Sequence, residues 1–234
     1  MSASTADPDL ELLLKYRDAE GPLSERLSAF SDAHRARYPA YSKAVDTLVA
    51  RLDEADGWKH APKVGEAMPA TVLPDEAGRL VNLQDLYSEG PVAIMFHRGH
   101  WCPYCRLNIN AVARRSEDIA ASGGRIVAVM PERQRYVEKL WAEANRRFLL
   151  LTDMDNGYAM SLNLAIWLGP DIVRIFSRSG IDLPKYHGND AWMVPIPATF
   201  VVGRDGKVAA RFIDPDFRKR MELDDLIAAL RSAR

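Results

Sequence analysis

Apolar residues recur along this chain with two different periods, and the change from one to the other divides it. From residue 8 to about residue 58 the period is helical. Val45, Leu48, Val49 and Leu52 fall at i, i+3, i+4 and i+7, and Leu23, Leu27 and Phe30 form a second stripe. Each stripe predicts an amphipathic helix whose apolar side needs cover, either from the rest of the chain or from a second copy in a homodimer. After the Pro and Gly punctuation of Ala61-Pro-Lys-Val-Gly65 the helical period gives way to short apolar runs alternating with helical stretches. The sequence reads as an all-helical N-terminal extension over residues 1–60 followed by a second domain over residues 61–234.

Within that second domain, Pro91-Val-Ala-Ile-Met-Phe96, Arg125-Ile-Val-Ala-Val-Met130 and Phe148-Leu-Leu-Leu-Thr152 have the length and continuous apolar character of buried strands. Helices are expected between them over residues 103–121 and 132–147. Two further runs, 198–202 and 207–212, flank Gly203-Arg-Asp-Gly206, whose turn residues favour a hairpin. Leu223, Leu226, Ile227 and Leu230 mark one face of a last helix. This order predicts an α/β fold, a mixed sheet with helices on both faces. Residues 171–189, rich in Gly, Pro and Tyr, read as a loop excursion shaping access to a site. Asp153 and Asp155 read as caps of a helix starting near Asn156.

Charge narrows the partners. With 31 basic against 32 acidic side chains the formal charge is -1, which exerts no net pull toward nucleic acid or an anionic membrane. No run approaches the roughly 18 apolar residues of a spanning helix, and the first residues lack the basic cluster and apolar run of a signal peptide. A cytoplasmic protein is expected.

The chemistry centres on Cys102 and Cys105, the only cysteines. So short a loop gains little from a structural disulfide, and in a reducing compartment such a pair is more often catalytic or metal-binding. Pro103 suits the first helical position, which sets Cys102 at a helix N-terminus, where unpaired N–H groups favour thiolate. Arg98 and Arg106 push the same way. Cys105 follows one helical turn later, within reach of an oxidised Cys102. His97 and His100 add metal-ligand types, but structural zinc draws on two separated pairs and no second pair is present. The two histidines are placed to take a proton or stabilise a thiolate, or else only to bond locally. Trp101 reads as a packing lid. A C-x-x-C after a strand in an αβ pattern is a redox signature of thioredoxin type.

The segment Phe96-His-Arg-Gly-His-Trp-Cys-Pro-Tyr-Cys105 resembles the Arg-Gly-x-Trp-Cys-Pro-x-Cys signature of peroxiredoxin-like proteins of the alkyl hydroperoxide reductase and thiol-specific antioxidant (AhpC/TSA) family. Val64-Gly-Glu-Ala-Met-Pro69, Gly78-Arg-Leu-Val-Asn-Leu-Gln-Asp-Leu86, Leu150-Leu-Thr-Asp-Met-Asp-Asn156 and Pro197-Ala-Thr-Phe-Val-Val202 are similar to further family elements. The resemblance covers residues 63–234, and the helical region before them resembles an extension seen in this subgroup. It implies a thioredoxin-like, peroxiredoxin-type fold that reduces hydrogen peroxide or organic hydroperoxides without metal or organic cofactor. A peroxidatic thiolate becomes a sulfenic acid, a second thiol closes a disulfide, and a thioredoxin-like or glutathione-linked donor restores the dithiol.

An ungapped match puts Cys105 on the family's peroxidatic cysteine, Cys102 on its Thr/Ser and Arg98 on its proline, whereas helix-end physics favours Cys102 as the nucleophile. Pro197 stands where typical peroxiredoxins have an active-site arginine, and it matches the cis-proline of thioredoxins. A cis Ile196–Pro197 bond is therefore expected, the ordinary alternative being a proline that opens an edge strand. Polarising the peroxide then falls to Arg98, Arg106, Arg211 or backbone N–H groups. Two other functions stay open: a thioredoxin-type thiol-disulfide oxidoreductase, and a redox-responsive regulatory module in which disulfide formation reorganises the N-terminal helices.

Overall fold

The helical period of the first residues is realised as α1 (Pro8–Arg17), α2 (Leu23–Arg37) and α3 (Pro39–Ala55) in a computed structural model that describes residues 8–233. The reading of the chain's first residues lies outside the described residues. Pro22 precedes α2 and supplies no side-chain cap; instead the Leu23 and Ser24 N–H groups donate to the Glu222 carboxylate at 3.2 and 2.7 Å. A carboxylate on those unpaired donors stabilises the helix start and ties the two ends of the chain together.

After a 3₁₀ turn at Gly57–His60 come β1 (Val72–Pro74), β2 (Leu80–Asn82), α4 (Leu83–Glu89), β3 (Val92–Phe96), α5 (Pro103–Arg114), α6 (Ser116–Ala121), β4 (Arg125–Met130), α7 (Gln134–Glu143) and β5 (Leu149–Thr152). The chain continues through α8 (Gly157–Ser161), β6 (Ala165–Trp167), α9 (Pro170–Ser179), α10 (Leu183–His187), β7 (Met193–Pro195), β8 (Ala198–Val202), β9 (Val208–Ile213) and α11 (Leu223–Ser232). The main sheet has the order β5-β4-β3-β8-β9, parallel from β5 to β3 and antiparallel beyond. Every residue of β3 and β8 is buried. Cover on both faces explains why these strands read as unbroken apolar runs rather than alternating ones. The β8–β9 turn closes with Gly203 N–H on Lys207 O at 2.9 Å, and Gly206 takes φ 73° there. Among the described residues no helix is long and apolar enough to cross a membrane.

The N-terminal helices find their cover in the same chain. Leu27, Phe30, Val45 and Leu48 join one apolar cluster with Cys102, Tyr104, Cys105 and Leu107, and the Phe30 and Tyr104 rings meet edge to face at 5.1 Å. Burying each such side chain contributes about 1.5–3 kcal/mol.

Several expectations need correction. The helix expected over 103–121 breaks at Arg115 (φ -100°, ψ 15°), whose guanidinium pairs with Asp118 and, at 3.0 Å, with Asp224 of α11, turning α6 onto that helix. The next helix is shorter than expected: Glu132 lies ahead of it, and Asn145 and Arg146 at positive φ lie beyond its end. Residues 171–189 are mostly α9 and α10 rather than loop. Pro170 opens α9, Gly180 closes it at φ 79°, and Asp182 accepts from Lys185 N–H at 3.0 Å to cap α10. Asp153 caps α8, accepting from Tyr158 and Ala159 N–H at 2.8 Å each, but Asp155 instead accepts from Asn189 Nδ2 at 2.7 Å. No peptide bond among the described residues is cis. Ile196–Pro197 is trans because the chain runs extended from β7 into β8, with Ile196 N–H on Leu164 O at 2.8 Å.

Candidate active site

The site forms where β3 ends and α5 begins, beside the end of the parallel neighbour β4, the crevice in which open α/β sheets gather their functional groups. The connection needs glycine at one point. Gly99 has φ 138°, and a Cβ there would lie 2.6 Å from the Glu132 side chain and 2.7 Å from Trp101 Nε1. Cys102 N–H then donates to Gly99 O at 3.2 Å, a tight turn that places Cys102 immediately before Pro103 at the start of α5, as the sequence predicts. Glu132, fully buried just past β4, fixes this turn by accepting from His100 N–H at 2.8 Å and pairing with His100 Nδ1 at 2.7 Å.

Both cysteines are reduced, with 1% of Cys102 and none of Cys105 exposed, so their environment is set by protein groups alone. Donors converge on Cys105. Arg98 backbone N–H reaches its sulfur at 3.3 Å and Arg220 Nη2 at 3.7 Å. Burial works against a thiolate at Cys105, yet the Cys102 thiol, the Arg220 charge, nearby His97 and the Arg98 N–H together carry its pKa well below that of an ordinary thiol. Cys102 moves the opposite way, raised by burial and then by the neighbouring Cys105. Of the two sulfurs, Cys105 is the one whose surroundings favour the thiolate.

His97 is buried, its ring nitrogens 3.1 Å from Met95 O and 3.0 Å from Asn108 Oδ1; burial lowers its pKa, and the neighbouring Cys105 works the other way. With His100 held by Glu132, neither imidazole makes a hydrogen bond to a sulfur, and among the described residues no group of three or more His, Cys, Asp or Glu is arranged to hold a metal ion. Trp101 packs edge-on to Phe176 at 5.2 Å. The Arg98 guanidinium lies 4.9 Å from the Trp101 ring centroid and 3.8 Å from that of Phe217.

The arginines divide differently from the sequence expectation. Arg106 pairs with Glu143 at 2.6 Å, and Arg211 donates to the carbonyls of Ala61 and Pro62 at 2.7 and 2.9 Å, so both are engaged away from the sulfurs. Pro197 is buried at the start of β8. Arg220, which does reach Cys105, lies 115 residues beyond it and is held by the carbonyls of Phe217 and Lys219; no local sequence signal marks it. Glu132 has a local signal, an acidic residue two positions after an apolar strand that neighbours β3.

A thioredoxin-like sheet carrying a buried dithiol at the start of the helix after its central strand defines a thiol-dependent oxidoreductase of peroxiredoxin type. Residues 64–211 match the AhpC/TSA family, and the chain belongs to that family. Among solved structures it is similar to peroxidoxin BcpB from Mycobacterium tuberculosis, at 21% identity over 74% of this chain and 99% of that one, with TM-score 0.57. It is also similar to peroxiredoxin 6 of Arenicola marina, at 13% identity over 72% and 71% of the two chains and TM-score 0.56. A yeast mitochondrial 1-Cys peroxiredoxin, described as resolved via glutathione/thioredoxin systems, aligns at 13% identity over 70% and 73%, with TM-score 0.54. No curated protein matches.

Proposed function

We propose that the chain reduces hydroperoxides through a Cys105/Cys102 cycle in which Cys105 is the peroxidatic residue and Cys102 the resolving one. The observation that carries this reading is the convergence of Arg98 N–H and Arg220 Nη2 on the Cys105 sulfur, since it is the thiolate that attacks peroxide. Cys105 S⁻ attacks one peroxide oxygen; the S–O bond forms, the O–O bond breaks, and the departing alkoxide or hydroxide takes up a proton. Cys102 then attacks the sulfenic sulfur, the S–S bond forms, and the hydroxyl leaves as water. Two reducing equivalents from a thioredoxin-like or glutathione-linked thiol restore the pair.

Trapping of sulfenic acid after mixing with hydrogen peroxide tests the assignment. Cys102→Ser is expected to form it rapidly and keep it, while Cys105→Ser does not react. A fast Cys105→Ser protein would move the nucleophile to Cys102, and a wild type no faster than a free thiol would sink the peroxidase reading.

A further inference from the structure

Arg98 is the one large cation of the site that the cycle above leaves without work for its side chain. Only 1% of it is exposed, and its Nε, Nη1 and Nη2 atoms are buried and make no close hydrogen bond, the Tyr41 hydroxyl being the polar group that faces them. Among the described residues no carboxylate pairs with it. Stacking between Trp101 and Phe217 replaces part of its lost hydration, but a buried guanidinium without an anion is expensive unless something in its cycle supplies one. Glu132 is committed to His100, and the charge on Cys105 already has Arg220. The cluster that packs Phe217 and Trp101 also packs Cys102, which the turn from Gly99 folds back over this segment.

From this arrangement we infer that the Arg98 guanidinium is the counter-charge for Cys102 whenever that residue must be a thiolate. The inference rests on the assignment of Cys105 as peroxidatic. Two steps need the charge. In disulfide closure, Cys102 gives up its proton, which leaves with the sulfenic hydroxyl as water, while its sulfur bonds to Cys105. In reduction, a donor thiolate attacks Cys102 and releases Cys105 S⁻; a second donor thiol then attacks the mixed disulfide and releases Cys102 S⁻ beside Arg98. A stabilised leaving thiolate leaves faster. The two guanidinium groups thus serve one sulfur each, and Arg98 contributes to the peroxide step only through its backbone N–H, which a side-chain substitution retains. Other titratable or charged groups facing Arg98 and Cys102 are Tyr41 from α3, Tyr104 and Cys105 from α5, His187 from α10, and Arg220 from the segment before α11, with the ion-paired Arg218 beyond Tyr41 and Tyr104.

Single-turnover kinetics with hydrogen peroxide separates the steps. Sulfenic-acid formation is followed in the Cys102→Ser background and disulfide closure with both cysteines present. Arg98→Gln is expected to slow closure about ten- to a hundredfold beyond any effect on sulfenic-acid formation, the range expected for losing a hydrogen bond to a charged group. The pH midpoint of closure should rise, and Arg98→Lys should restore both rate and midpoint in part. As a second measurement, the Cys102 thiol in Cys105→Ser should titrate at higher pH when Arg98 is Gln than when it is Arg or Lys. Equal slowing of both steps, or a Cys102 titration indifferent to Arg98, would overturn the inference while leaving the peroxidase reading in place. Absence of sulfenic acid in Cys102→Ser would remove the assignment of Cys105, and the inference with it.

Discussion

Arg220→Met removes the charged donor 3.7 Å from the Cys105 sulfur while keeping an unbranched apolar side chain in its place. At an effective dielectric of about 20, Coulomb's law gives about 4 kcal/mol for unit charges at that separation, which serves as a ceiling. Hydrogen bonds to charged groups contribute about 1.5–3 kcal/mol when measured by mutation. The smaller range is the expectation here, because the Arg98 N–H and the Cys102 thiol still favour the thiolate in the variant. At about 1.4 kcal/mol per decade, the Cys105 midpoint should move up by about one to two pH units, and at pH values below the wild-type midpoint thiolate occupancy and sulfenic-acid formation should fall about ten- to a hundredfold. The thiolate is the form that Arg220 favours, so its removal moves the titration midpoint of Cys105 upward. Ultraviolet absorbance of the thiolate against pH reads the midpoint, and stopped-flow mixing with hydrogen peroxide reads the rate. The rate deficit should close as pH rises past the variant's midpoint. A deficit of the same size at every pH, with the midpoint unmoved, would refute this reasoning and assign Arg220 to the peroxide or to the local fold.

Burial, followed by the nearby Arg98 charge, lowers His187 from 6.5 to about 4. The unfolded chain therefore takes up that proton first, and stability is lost as pH falls from 6.5 toward 4. His187→Gln should flatten this acid loss by up to about 3 kcal/mol in thermal unfolding run across that range; an unchanged acid slope would contradict it. Gly99→Ala should cost about 1–3 kcal/mol of backbone strain, with further loss as Glu132 is displaced, and a wild-type urea midpoint would show that the turn tolerates a Cβ. Phe30→Ala should lower stability by about 3–5 kcal/mol and speed alkylation of the cysteines in the native protein. Alkylation at the wild-type rate would mean that α2 does not close the thiols.

Strands β3, β4, β5 and β8 are legible because burial leaves them as apolar runs too short for helices, as in Val92–Phe96 and Ala198–Val202, whereas the half-exposed β9 is marked by the Gly203–Gly206 turn before it. The helices α9 and α10 are not read as such because Pro170, Gly180 and Gly188 are boundary signals mistaken for loop composition: proline belongs at a first helical position and glycine at a left-handed end. At the site, Pro103 places Cys102 correctly, and the family resemblance is carried by residues that lie close in sequence. The choice between the sulfurs is different in kind. Helix-end physics weighs a single contribution at Cys102, whereas the groups that favour a charge on Cys105 include Arg220, which only the folded chain brings near. Tyr41 and Phe217 likewise meet Arg98 across the fold rather than along it.

In the proposed cycle, enclosure of both sulfurs under the N-terminal helices sets up a race for the sulfenic acid between a second-order reactant and a tethered one. A further peroxide, which would carry Cys105 on to the irreversible sulfinic acid, has to enter the closed interior a second time at whatever dilute concentration the solvent holds. The competing thiol of Cys102 is already inside, one helical turn away, at the high effective concentration of a tethered reactant. Under the proposed cycle each turn would be biased toward the recoverable disulfide, and the helices that slow the first encounter would guard against the last one.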